Sequence, residues 1–152
     1  MKYEEMLRIA DKENLKVHEA DLRQFDGLIW GQTVAIRHSL PTRTAKACVL
    51  AEEIGHARTC CGNIIDYDAP GNSKKETEGR TVGYDLLIGL DGIIRAYREG
   101  CSNAYEMAEF LGVTEEFLTD AIKRYRGKYA PYVEHDGYYI VFEPCLAVMK
   151  KL

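Results

Sequence analysis

Cys48-Val49-Leu50-Ala51-Glu52-Glu53-Ile54-Gly55-His56-Ala57 is the stretch whose reading decides the fold. It lies in a window from Pro41 to Cys60 with few breakers, and it predicts an α-helix. Successive helical residues turn by about 100°. Ala45, Cys48, Val49, Glu52, Glu53 and His56 then share one side, while Ala47, Leu50, Ala51, Ile54 and Ala57 cover the other. A helix that is apolar on both sides belongs in the middle of a core. Two carboxylates and an imidazole on such a helix destabilise it unless something neutralises them, and a metal cation is the simplest partner.

The spacing sharpens this reading. Glu52 and His56 are i and i+4, one turn apart on one face, as two helical metal ligands must be. Glu53 lies between them, on the flank where a general base reaches a metal-bound water. The zinc-peptidase pattern is His-Glu-x-x-His. Here it reads Glu52-Glu53-x-x-His56, with a carboxylate in place of the first histidine. The competing reading is a solvated acidic patch with a chance histidine. The apolar character of the rest of the helix favours the metal.

Working outward, the 152 residues predict one domain, long enough to bury a core without staples. With 46% hydrophobic and 29% charged residues, the composition is ordinary for a globular protein. The net charge of −4 argues mildly against nucleic-acid binding. Five cysteines (Cys48, Cys60, Cys61, Cys101 and Cys145), an odd number with two adjacent, do not form a secreted disulfide framework. Reduced thiols in a cytoplasm fit better. The start Met1-Lys2-Tyr3-Glu4-Glu5 lacks an apolar signal region, and no apolar run approaches the roughly 20 residues of a membrane span. A soluble cytoplasmic protein is the expectation.

Tyr3 to Lys12 reads as a short amphipathic helix ended by Asn14, and Leu15 to His18 as a strand. Gly27-Leu28-Ile29-Trp30 and Thr33-Val34-Ala35-Ile36, separated by Gly31-Gln32, predict a type II′ hairpin. Pro41 suits the first turn of the central helix, and Gly62 its end. Ile64 to Lys75 reads as a surface loop, in which Asp66 and Asp68 have the wrong spacing for a calcium loop.

Glu76 to Leu90 predicts a second helix, continuing from Ile93 to Glu99, that offers a third ligand. Glu78 shares its side with Val82, Asp85 and Leu86, and Glu76 shares its side with Arg80, Gly83 and Leu87. Periodicity alone leaves both open. Asn103 to Leu111, Gly112-Val113, then Thr114 to Tyr129 has helix-turn-helix spacing. Its second helix starts with Glu115, Glu116 and, a turn on, Asp120, which disfavours phosphate contact and argues against direct DNA binding. Tyr132 to Phe142 around Asp136-Gly137 is a strong hairpin signal.

Leu50-Ala51-Glu52-Glu53-Ile54-Gly55-His56, followed by Gly62-Asn63-Ile64, resembles the metallopeptidases of the ImmA/IrrE family. The likeness is to the short prophage and mobile-element members, and it covers nearly the whole chain. The unit from Tyr105 to Thr114 and the Tyr-rich closing hairpin share in it. It implies an α+β, zincin-like metallopeptidase fold. A small antiparallel sheet packs on the buried motif helix, followed by a helical subregion at about 90–130 and a C-terminal β-hairpin, all in one domain over 1–152. It also implies a zinc-dependent endopeptidase whose protein substrate is a helix-turn-helix repressor, so that cutting derepresses prophage or mobile-element genes.

In that family the third zinc ligand is a glutamate in a motif like Glu-Ala-Asn-x-Phe-Ala. Matching it to Glu78-Gly79-Arg80-Thr81-Val82-Gly83 selects Glu78, with Glu76 as the alternative. The expected ligands are therefore Glu52, His56 and Glu78, with Glu53 as catalytic base. Tyr84 and His38 are candidates for stabilising the oxyanion. Carboxylate at position 52 departs from the family histidine, adds hard oxygen and shifts preference from zinc toward other divalent cations. Two outcomes stay open: a working modified site, or a peptidase scaffold without catalysis that serves as a repressor-binding regulator.

Overall fold

The computed structural model describes residues 2–59 and 72–152, and the side chains of Asn72 and Ser73 are not among those described. Contacts gather the chain into two units, Met1–Leu86 and Leu87–Leu152. The class is α+β, with a three-stranded sheet in each unit.

The first unit opens with α1 (Lys2–Lys12), which ends before Asn14 at φ 61°. β1 (Lys16–Ala20), β2 (Gly27–Trp30), β3 (Thr33–Arg37), α2 (Arg43–Thr59) and α3 (Asn72–Leu87) follow. β2 and β3 form the expected hairpin, antiparallel from Gly27↔Ile36 to Trp30↔Thr33. Gly31 has φ +61° and Gln32 is not among the positive-φ residues, the type II′ pattern. β1 pairs parallel with β3, from Lys16↔Thr33 to Ala20↔Arg37, so the strand order is β1-β3-β2. The sheet is thus mixed rather than antiparallel. Residues 21–26 carry the chain past β3, which leaves the most buried strand in the centre. Val34 and Ile36 are fully buried there, while the polar β1 takes an edge.

α2 packs against α1, β2 and β3, and its burial on both sides is as the sequence predicts. Ala47, Leu50, Ala51 and Ile54 are fully buried. Removing a side chain such as Leu50 or Ile54 from water favours the fold by about 1.5–3 kcal/mol each. The Thr42 hydroxyl accepts from the Ala45 N–H at 3.0 Å and caps the helix. Pro41 therefore precedes the cap and does not enter the first turn. Polar ties fasten α2 to its neighbours. Lys46 donates to Glu19 Oε1 at 2.6 Å, and Tyr3 donates to Glu19 Oε2 at 3.2 Å. Arg58 donates to both oxygens of Glu13 at 2.8 Å.

The expected stop at Gly62 and the loop residues Ile64 to Gly71, with Asp66 and Asp68, lie outside the described residues, as do Cys60 and Cys61. α3 begins at Asn72, four residues before the expected start at Glu76.

The second unit contains α4 (Gly89–Glu99), α5 (Ala104–Leu111), α6 (Glu115–Tyr129), β4 (Tyr132–His135), β5 (Tyr138–Val141) and β6 (Ala147–Lys150). The long helix expected from Glu76 breaks at Ile88 (φ −123°, ψ −78°), and Gly89 follows at φ +63°. A left-handed residue of this kind suits glycine, which has no Cβ to clash. The Asn103 side chain accepts from the Glu106 N–H at 2.8 Å, and Thr114 Oγ1 accepts from the Phe117 N–H at 3.1 Å. With Gly112 as a left-handed cap, the expected helix-turn-helix spacing is realised in α5 and α6. Glu115, Glu116 and Asp120 are exposed.

β4 and β5 pair through Asp136 and Gly137, both at positive φ as a type I′ turn requires. The sequence reading missed β6, which pairs antiparallel with β5 and makes the closing hairpin a three-stranded sheet. His135, beside this turn, lies 2.8 Å from Asp91 of α4. Among the described residues no helix is long and apolar enough to cross a membrane.

Candidate functional site

α2 and α3 meet through glycines. A Cβ on Gly55 would stand 2.0 Å from the Gly79 carbonyl oxygen, and one on Gly79 would stand 2.2 Å from His56 Cδ2. A Cβ on Gly83 would stand 3.0 Å from the backbone at Ala51 and Glu52. Only residues without side chains let the two backbones approach this closely. The glycines also fix which face of α3 turns inward. Gly79 and Gly83 are one turn apart, and Glu76 lies one turn before Gly79 on the same face.

Glu76 accordingly faces His56, with Oε2 at 3.1 Å from Nε2. Glu78 is exposed, as its neighbour Asp85 is, while Val82 and Leu86 on that side are half-buried. Of the two candidates for a third ligand, the structure thus brings Glu76, the alternative, to His56 and leaves Glu78 in solvent. The reason is the glycine face, which rotates Glu78 by about 100° away from Gly79.

His56 sits between two carboxylates. On the other edge of its ring, Nδ1 is 3.6 Å from Glu53 Oε2, too long for a hydrogen bond and close enough for strong attraction. Glu53 is buried and abuts the backbone of β2, where a Cβ on Gly27 would stand 3.1 Å from Glu53 Oε1. Burial works against a charge on the imidazole, but Glu53 and Glu76 outweigh it and push His56 up to about 10. The His56 contact holds the Glu76 carboxyl below its ordinary value against the effect of burial. Glu52, half-buried one turn before His56, is pushed up to about 7 by burial, with Arg80 and His56 pulling the other way.

The same acids have a second cation. Arg80 Nε donates to Glu76 Oε1 at 3.1 Å. His38 lies at the exposed end of β3, where its N–H donates to the Ala20 carbonyl at 2.9 Å, and Tyr84 is buried on α3. A cavity of about 200 Å³, lined among others by Leu15, Ile29, Ala57 and Arg58, opens onto His56.

Whether these residues suit a divalent cation is decided by their donors. Two donors to one tetrahedral ion, with bonds of about 2.0–2.1 Å, stand about 3.3 Å apart. His56 Nε2 and Glu76 Oε2 are at 3.1 Å, and Nε2 is buried with no hydrogen bond of good geometry despite that approach. An imidazole nitrogen without a directed partner, facing a carboxylate, fits such an ion. A ligating histidine is usually supported by a carboxylate hydrogen-bonded to Nδ1, and Glu53 stands on that side at 3.6 Å, short of such a bond. Among the described residues no three His, Cys, Asp or Glu side chains converge to form a complete site. Sequence reasoning had the signal for Glu76, because it shares its side with Gly83. It missed the role of Arg80.

No known protein family, curated protein or solved structure matches the chain.

The charges set the pH dependence of the metal-free protein. The raised His56 value contributes stability that is full below about 6.5 and is lost as pH rises toward about 10. The raised Glu52 value acts in the same direction between its ordinary range and about 7. The lowered Glu76 value contributes above its ordinary range and is lost in acid. In the presence of chelator the thermal midpoint should peak near pH 5–6 and decline toward pH 10. A midpoint that rises steadily from pH 6 to pH 9 would contradict this arrangement of charges.

Proposed function

We propose that the chain is a metal-dependent endopeptidase of the ImmA/IrrE type, with a zincin-like fold, working in the cytoplasm on a helix-turn-helix repressor and so derepressing prophage or mobile-element genes. The observation that carries the reading is the half-buried His56–Glu76 pair, in which the shielded imidazole Nε2 lacks a directed partner. His56 and Glu76, with Glu52 from the preceding turn, would hold the ion. Two carboxylates beside one imidazole admit zinc and also harder divalent cations. Such an ion would polarise the scissile carbonyl and acidify water.

The chain's own residues supply the rest. Glu53 attracts the proton on His56 Nδ1 and so directs Nε2 toward Glu76. By its place in the motif we also assign this carboxylate as the base that would take a proton from water and pass it to the leaving amine, for which it must turn from the Nδ1 edge of the ring toward Nε2. The cavity beside His56 offers room for a substrate side chain. The exposed acids at the start of α6 favour a protein partner over nucleic acid.

The test is incubation with a co-encoded repressor, with and without chelator. Cleavage should stop when the metal is removed and should fall by at least about 100-fold in Glu53→Gln. Cleavage that survives the substitution takes Glu53 out of this role. A second reading is favoured by the Arg80–Glu76 bond, through which the protein supplies a cation of its own. In it the scaffold binds the repressor without cutting. Repressor capture by metal-free protein, with no fragments at any zinc concentration, would select it.

A further inference from the structure

We propose that Arg80 is a built-in counter-ion of the acid-lined helix pair, standing in for the divalent cation when none is bound and competing with one that arrives. The inference rests on the metal reading above and assigns a regulating residue to the same site.

Glu76 is shared. Its Oε2 faces His56 at 3.1 Å, while its Oε1 accepts from Arg80 Nε at 3.1 Å. The two partners differ in freedom. The Glu76 side chain is 17% exposed and the Arg80 side chain 55% exposed, so the guanidinium reaches in from solvent and has space to leave. Arg80 also acts on Glu52, on which it is the strongest of the charges favouring the ionised form. Two carboxylates, Glu53 and Glu76, flank one imidazole, and Glu52 lies one turn before it on α2. A guanidinium keeps its charge at every working pH, so this neutralisation needs no metal and no proton.

The same charge opposes a second cation. A divalent ion at His56 and Glu76 meets a positive neighbour already bonded to one of its ligands. It must either share Glu76 with Arg80 or displace it. An ordinary i,i+4 surface pair would have no such effect, because it acts on helix stability alone.

Zinc affinity by chelator competition, measured beside the metal-free thermal midpoint, separates the two roles in wild type, Arg80→Gln and Arg80→Lys. In Arg80→Gln the metal-free midpoint should fall while zinc binds about tenfold tighter, and Arg80→Lys, which keeps the charge, should stay near wild type. Zinc bound by Arg80→Gln alone is the extreme form of the same result. Wild-type binding that Arg80→Gln leaves equal or weakens overturns the counter-ion role and spares the metal reading. Binding by none of the three proteins removes the metal reading and the competition together.

Discussion

Gly55→Ala lowers the thermal midpoint by about 4–8 °C, although alanine is the better helix former. At an exposed site the exchange stabilises a helix by about 0.8–1.0 kcal/mol. At position 55 the new Cβ stands 2.0 Å from the Gly79 carbonyl oxygen, which belongs to backbone and cannot rotate aside. Overpacking of this kind costs about 1–3 kcal/mol, and the short approach puts it near the upper end. The net loss of about 2 kcal/mol converts at about 2–4 °C per kcal/mol for a chain of this size. α2 and α3 must separate, so Glu76 leaves His56, and on the metal reading proposed above zinc affinity should fall with the midpoint. Gly127→Ala is the control of opposite sign. Gly127 is exposed on α6 with nothing within 4 Å of an added Cβ, and the substitution should raise the midpoint slightly. Calorimetry on both variants checks the pair. Equal shifts of one sign would mean that the helices are not in backbone contact.

The second large effect separates two glutamates two residues apart. Glu76→Gln should weaken zinc binding by at least about 100-fold, because loss of a partner only one shell further out already costs 10–100-fold. Glu78→Gln should bind like wild type, since its side chain is exposed on another face of α3. Each change removes one negative charge, so a long-range effect of net charge would move both variants alike. Titration of each apo-protein with zinc against a chromogenic chelator measures the difference. Weak binding by Glu78→Gln beside unaltered Glu76→Gln would restore the register taken from the family motif.

Much of the fold is legible in the sequence because it is local. α2 announces itself through a largely apolar run with few breakers, and the hairpins through Gly31-Gln32 and Asp136-Gly137. The caps at Asn103 and Thr114 are likewise set by residues three positions apart. The parallel pairing of β1 with β3 carries no such mark, because it depends on where residues 21–26 deliver the chain. β6 is short, and Ala147 and Lys150 are weak strand formers, so its pairing with β5 is a tertiary effect. That Glu76 and not Glu78 meets His56 has a specific cause. The inward face of α3 is built from Gly79 and Gly83, which have no apolar side chain to report burial. Periodicity of large hydrophobic residues is silent on a face made of glycine. Arg80 escaped notice because an exposed arginine one turn after a glutamate looks like any helix-surface pair.

The central claim is that His56 and Glu76 face each other to share a divalent cation. Metal analysis of wild-type protein, loaded with zinc and freed of excess, tests it most directly. The account predicts stoichiometric zinc that Glu76→Gln fails to retain. Wild-type protein that retains no zinc, with His56 and Glu76 still in contact, would contradict it and leave an ion pair neutralised by Arg80 in place of a metal centre.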